Sequence, residues 1–140
     1  MTAKTYLSQL YRLEQKIKAR SEQIEELKTI ASGFKGMDYT ADRVQTSPKD
    51  RMAEKVGKYA DMEKDLYKLI DHYISLKDEI IWKIYAIEDN RYTTILYKHY
   101  VEFKSLAVVA KEMSYDYKYA CRIHGYALAQ FEKIDDKSRH

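Results

Sequence analysis

The sequence predicts an all-α protein: a long antiparallel helical hairpin (coiled coil) over residues 1–88, then a C-terminal unit of three shorter helices over 89–140. Three observations carry this reading. Four Gly and one Pro in 140 residues leave little punctuation, and period-two alternation is almost absent, so strands have neither a pattern nor boundaries. Two long stretches repeat apolar residues at alternating spacings of three and four, as helices packed along a seam do. The last third repeats helical spacing in shorter blocks separated by polar breaks.

The first seam runs from about Thr5 to Phe34 through Tyr6, Leu10, Leu13, Ile17, Ile24, Leu27, Ala31 and Phe34. Arg20 interrupts it once, and Gly33 and Gly36 end it. From about 35 to 49 the chain turns polar, loses periodicity and holds its one Pro at position 48. That predicts a loop, with Ser47 or Asp50 as a cap for the second long helix. The second seam runs from about Lys49 to Ile87 and includes Met52, Val56, Tyr59, Glu63, Leu66, Ile70, Tyr73, Ile80 and Ile84. One antiparallel register sets Leu27 against Val56, Ile24 against Tyr59, Ile17 against Leu66, Leu13 against Ile70 and Leu10 against Tyr73. The same register brings Arg20 opposite Glu63, so the charged break in one seam meets a carboxylate in the other. Such a pair specifies register more than it stabilises, because desolvation offsets the attraction. Leu69, Leu76, Ile81 and Trp82 lie off the seam, and a second copy or the C-terminal helices would have to cover them.

Glu88-Asp89-Asn90 breaks the pattern, and Asp89 or Asn90 can cap a helix over about 91–101 that turns Ile95, Leu96 and Tyr100 inward. The stretch from Lys104 to Lys133 then holds two helices joined at Ser114-Tyr115-Asp116. Leu106, Val109, Ala110 and Met113 form one stripe and Ala120, Ile123, Ala127 and Phe131 the other, so the two should face each other. Ala110 takes the small position of closest contact and Ser114 the turn, with Val109, Met113, Tyr115, Ala120 and Ile123 buried, as in a helix-turn-helix. Ser stands where Gly is usual, which is tolerable because its hydroxyl can bond locally. The second helix, about 116–133, leaves Tyr117, Lys118, Cys121 and Arg122 on its open surface, groups able to meet phosphates and base edges. Any short helical hairpin on a core gives a similar pattern, so the bare packing reading stays open beside it. Gly125 inside this helix costs about 1 kcal/mol against Ala, which suggests close approach of a backbone or partner. The closing IDDKSRH should fray.

Net charge is +3, and residues 91–140 carry all of it, with nine Lys/Arg against six Asp/Glu. That favours an anionic partner for the C-terminal unit. The single Cys, Cys121, excludes an internal disulfide and fits a reducing compartment. No window reads as a signal peptide or a membrane span, so the expected setting is cytoplasmic, with no membrane partner. Cys121 and His124 share a helix face but lack two further ligands, so no metal is expected. There is no phosphate-binding Gly-rich loop, nucleophile elbow or HExxH, and the carboxylates interleave with Lys and Arg as solvated faces do. An enzyme, catalytic residues and a cofactor are therefore not expected. Of fourteen Tyr, seven lie at or after Tyr92, and Tyr117 and Tyr119 beside the turn are candidates for contact with nucleic acid.

MTAKTYLSQLYRLEQKI at the start, LKDEI at 76–80 and ILYKHYVEFKSLAVVAKEMSYDYKYACRIHGYAL near the end resemble a family of small phage and prophage proteins. The C-terminal part is similar to region four of bacterial sigma factors, and the chain resembles late-gene regulators of the ArpU and RinA type. This resemblance implies a transcription regulator in a bacterial host cell that binds double-stranded DNA. By position, Tyr117, Lys118, Cys121 and Arg122 would face bases and Lys104 and Ser105 phosphate. Asp116 stands where such relatives commonly carry Ser. The hairpin would serve as an oligomerisation arm, giving a homodimer or higher oligomer, or would contact host RNA polymerase. Two alternatives stay open: an interaction module that contacts polymerase or a regulator without reading DNA, and a packaging component similar to a small terminase subunit.

Overall fold

The computed structural model describes residues 1–35 and 48–138, and among these the regular structure is entirely helical. Two long helices, α1 (Ala3–Lys35) and α2 (Pro48–Tyr85), precede α3 (Asn90–Leu96), a π-helical turn (Tyr97–Val101), α4 (Leu106–Glu112) and α5 (Tyr117–Ser138). Most of the loop expected at about 35–49, its capping candidates Ser47 and Asp50, and the Leu27 to Val56 contact fall outside the described residues and side chains.

Two compact units form, and their division differs from the one expected at residue 88. One comprises Gln15–His72; the other joins Met1–Glu14 to Tyr73–His140. Both long helices thus contribute a segment to each unit.

The unit at 15–72 is a pair of helical segments with little interior. Ile24 is buried, whereas Leu27, Met62, Leu66, Leu69 and Ile70 are only half-buried. The Tyr59 hydroxyl donates to the Leu27 carbonyl at 2.5 Å, and Lys28 pairs with Glu63 at 2.7 Å. Glu63 is therefore not held by Arg20, which is exposed and makes no ion pair among the described residues. The expected register itself is shifted: Tyr59 meets Leu27 where Ile24 was expected, and Glu63 meets Lys28, about two turns along α1 from Arg20, so Glu63 falls beyond the reach of Arg20. Near the surface, Arg20 also keeps its hydration, and nothing forces it onto a carboxylate.

The other unit holds the core. Ala3, Tyr6, Leu7 and Leu10 from α1 and Leu76, Ile80 and Ile84 from α2 join Ile87 and the apolar residues of the three shorter helices in one buried cluster. Tyr6 lies beside Lys83 and Glu14 within electrostatic reach of Tyr73, so the helix segments run antiparallel there. Leu10 is buried in this core, and Tyr73 packs against the same cluster. A charge sits at the edge of this core. The Lys83 ammonium donates to Asp135 at 2.7 Å, to Glu79 at 3.1 Å and to the Tyr6 hydroxyl at 3.3 Å, and stands 4.7 Å from the centre of the Tyr6 ring. Burial works against its charge, but these partners outweigh burial and hold the ammonium above the ordinary lysine value.

Local chemistry explains where the short helices begin and end. Asp89 caps α3 by accepting from the Arg91 amide, as the sequence suggests, and Ser105 caps α4 by accepting from Val108. After Leu96 the helix widens: the Glu102 amide reaches Tyr97 and the Lys104 amide reaches Lys98. Phe103 ends this turn in the left-handed region at φ 59°.

Candidate nucleic-acid interface

The turn between α4 and α5 shows how the sequence makes a tight corner without Gly. Ser114 takes φ 58°, the left-handed conformation that ends helices. Its amide bonds to Lys111 and the next amide, Tyr115, bonds to Ala110 at 2.8 Å, the paired closure of a Schellman motif. These bonds are between main-chain groups, so the turn does not depend on a bond from the Ser hydroxyl. Val109, Ala110, Ala120, Ile123, Ala127 and Phe131 are buried, and Leu106, Met113 and Tyr115 are half-buried against them. The two stripes expected from the sequence do face each other. Ala110 leaves room for α5, and Asp116 begins that helix by accepting from Ala120 at 2.9 Å.

Opposite this buried face, α5 presents Lys118 and Arg122 one turn apart, with Gly125, Tyr126 and Ala129 continuing the same exposed strip. No Asp or Glu occurs from Tyr117 to Phe131, so the strip is free of acids along four turns and carries its two cations in the first two. Tyr117 is exposed, and the Cys121 thiol beside it pushes its phenol above the usual value. Cys121 itself is half-buried at the edge of the strip. A Cβ at Gly125 would meet nothing within 4 Å. The glycine therefore answers to no neighbour in its own chain, and the strip is lowest at that point.

The remaining candidates sit differently. Tyr119 is half-buried, packs edge-on against Tyr115 with ring centres 4.8 Å apart, and accepts a 2.9 Å bond from Arg91. Lys104 is held by Glu112 at 2.9 Å and Glu102 at 3.2 Å, and Glu112 also takes Lys98 at 2.6 Å. Both lysines bear on this carboxyl and hold it below its ordinary range. Ser105 is engaged as the cap of α4. Tyr117, Lys118, Cys121 and Arg122 thus share one surface, whereas Lys104, Ser105 and Tyr119 are tied into the scaffold that carries it. Sequence reasoning overlooked Arg91, which joins Asp89 to Tyr119 and so links the α3 cap to α5. Its position shortly after a capping Asp was the available signal.

Behind α5, His124 is half-buried against the π-helical turn. Its Nε2 lies 2.8 Å from the Tyr100 hydroxyl, and the His99 ring stands edge-on at 5.3 Å. Burial, aided by His99 and Lys4, lowers its pKa to about 4, while burial raises Tyr100 to about 12. The pair is neutral across the physiological range and serves as packing. Among the described residues no group of His, Cys, Asp and Glu is arranged to hold a metal, and no helix is long and apolar enough to cross a membrane.

Comparison of the chain with protein-family models, curated proteins and solved structures returns no match.

Proposed function

We propose that the chain is a DNA-binding transcription regulator whose α5 enters the major groove by its first four turns. The observation that carries this reading is the α4 to α5 corner. A left-handed Ser114 and a small Ala110 bring two short helices together, and the second turns an acid-free strip with Lys118 and Arg122 to solvent. A helix about 10–12 Å wide with such a strip fits the major groove. Arg122 supplies the fork that suits guanine, and Lys118 suits phosphate. Lys104 would have to leave two carboxylates before it could contact a phosphate, so its share is small. The resemblance to phage late-gene regulators adds the expected setting, control of late phage genes in a bacterial cell.

Binding to promoter fragments at several salt concentrations tests this. Arg122→Ala should cost about 1–3 kcal/mol at the preferred site and relax the preference at one base pair. Lys118→Ala should weaken all sequences alike and reduce the salt slope by about one. Wild type and both variants binding identically, or none binding, would remove the groove reading.

A second reading has its own support. Ile74, Trp82 and Tyr85 lie along one side of α2 and are exposed, Trp82 by 80%. Such an apolar strip suits a protein partner, either RNA polymerase or a second copy of the chain. Trp82→Ala should then abolish that association while DNA affinity per chain is kept.

A further inference from the structure

A cleft of about 370 Å³ opens in the larger unit between the start of α1 and the segment that links the π-helical turn to α4. We propose that it binds a small aromatic carboxylic acid, with the ring against Tyr11, Phe103 and His99 and the carboxylate on Arg12. The proposal does not depend on whether α5 meets DNA.

Charge selects the ligand class. No Asp or Glu lines the cleft, and its two cations differ. Lys104 is already neutralised by Glu102 and Glu112, whereas Arg12 is exposed and makes no ion pair among the described residues. One uncompensated guanidinium matches a monoanion, and its planar fork matches a carboxylate in particular. Ser105 uses an oxygen lone pair on the Val108 amide and keeps its hydroxyl proton for a ligand oxygen.

Backbone geometry supplies the aromatic wall. The left-handed position that ends the π-helical turn would cost nothing with Gly, yet Phe occupies it at φ 59°. Its ring meets Tyr11 edge-on, with centres 5.5 Å apart, beside the cleft. The other left-handed corner uses the small, polar Ser114. A bulky residue in that conformation next to a π-helical turn is the kind of stored strain that ligand clamps hold. The volume also falls within the range of small-molecule sites.

Calorimetry and amide chemical shifts on the full chain test this, with indole-3-acetate and benzoate as probes and indole and acetate as controls. Saturable one-to-one binding of at least one acid is expected, with shifts concentrated at residues 8–12 and 99–105. Each control should bind about tenfold more weakly or worse, since it lacks either the charge or the ring. Arg12→Ala, at an exposed position, should keep the fold and weaken the acid about ten- to a hundredfold. Tyr11→Ala should weaken it less. Absence of saturable binding by both acids, shifts confined to other residues, or equal affinity in Arg12→Ala would overturn the proposal.

Discussion

The segments of α1 and α2 at 15–72 and those at 1–14 and 73–85 belong to the same two helices, yet they are stabilised differently. In the larger unit Leu7, Leu10, Ile80 and Ile84 are fully buried, because three further helices close over them. In the smaller unit the same kind of seam leaves Leu27, Leu66 and Ile70 half-covered. Two helices can bury only the narrow line between them, and a third layer is needed before side chains lose their remaining contact with water. The free energy that holds these helices is thus concentrated at one end of them.

The largest test of this contrast is core truncation. Phe131→Ala should cost about 3–5 kcal/mol by urea unfolding, whereas Leu66→Ala, half-exposed, should cost about 1 kcal/mol or less. Equal costs would mean that the smaller unit is as well packed as the larger. Amide exchange should agree: residues 15–30 and 57–72 should open at lower free energy than residues 76–87 and 120–131.

Next comes the charge at the edge of the core. Lys83→Ala removes the ammonium beside Asp135 and should cost about 2–4 kcal/mol, with Lys83→Met costing less because it keeps the packing of the stem. The Lys83 pKa is raised, so its contribution is whole below the ordinary value of 10.5 and is lost as the pH climbs beyond it. The surface Lys28–Glu63 pair should show no measurable loss in Lys28→Ala.

Acid should sharpen the comparison at a smaller scale. His124 has a folded pKa of about 4 against 6.5 when unfolded. The unfolded chain therefore takes up the extra proton, and stability is whole above about pH 6.5 and falls as the pH drops toward 4. Partial exposure reduces the effect to about 1–2 kcal/mol. His124→Gln should flatten this slope in melting curves taken across that range.

The smallest effect is at Gly125. With open space around its Cβ, Gly125→Ala should stabilise the fold by about 0.5–1 kcal/mol. If DNA approaches the low point of the α5 strip, the same variant should weaken binding. A rise in stability together with a fall in affinity would distinguish a contact surface from a helix defect.

Local pattern alone determined much of this protein. The helical class, the Asp89 cap, the corner at Ser114, the buried stripes of α4 and α5 and the open placement of Lys118 and Arg122 all arise from spacings within about ten residues, where periodicity and capping act directly. What required the tertiary structure is every choice among partners of similar chemistry. Lys28 rather than Arg20 holds Glu63, Glu112 gathers two lysines including Lys104, Arg91 engages Tyr119, and the hairpin's open end shares its core with the last three helices. A charged side chain is long and its attraction falls slowly with distance, so several partners lie within reach of each one. Which pair forms depends on helix register and packing, and both belong to the assembled fold.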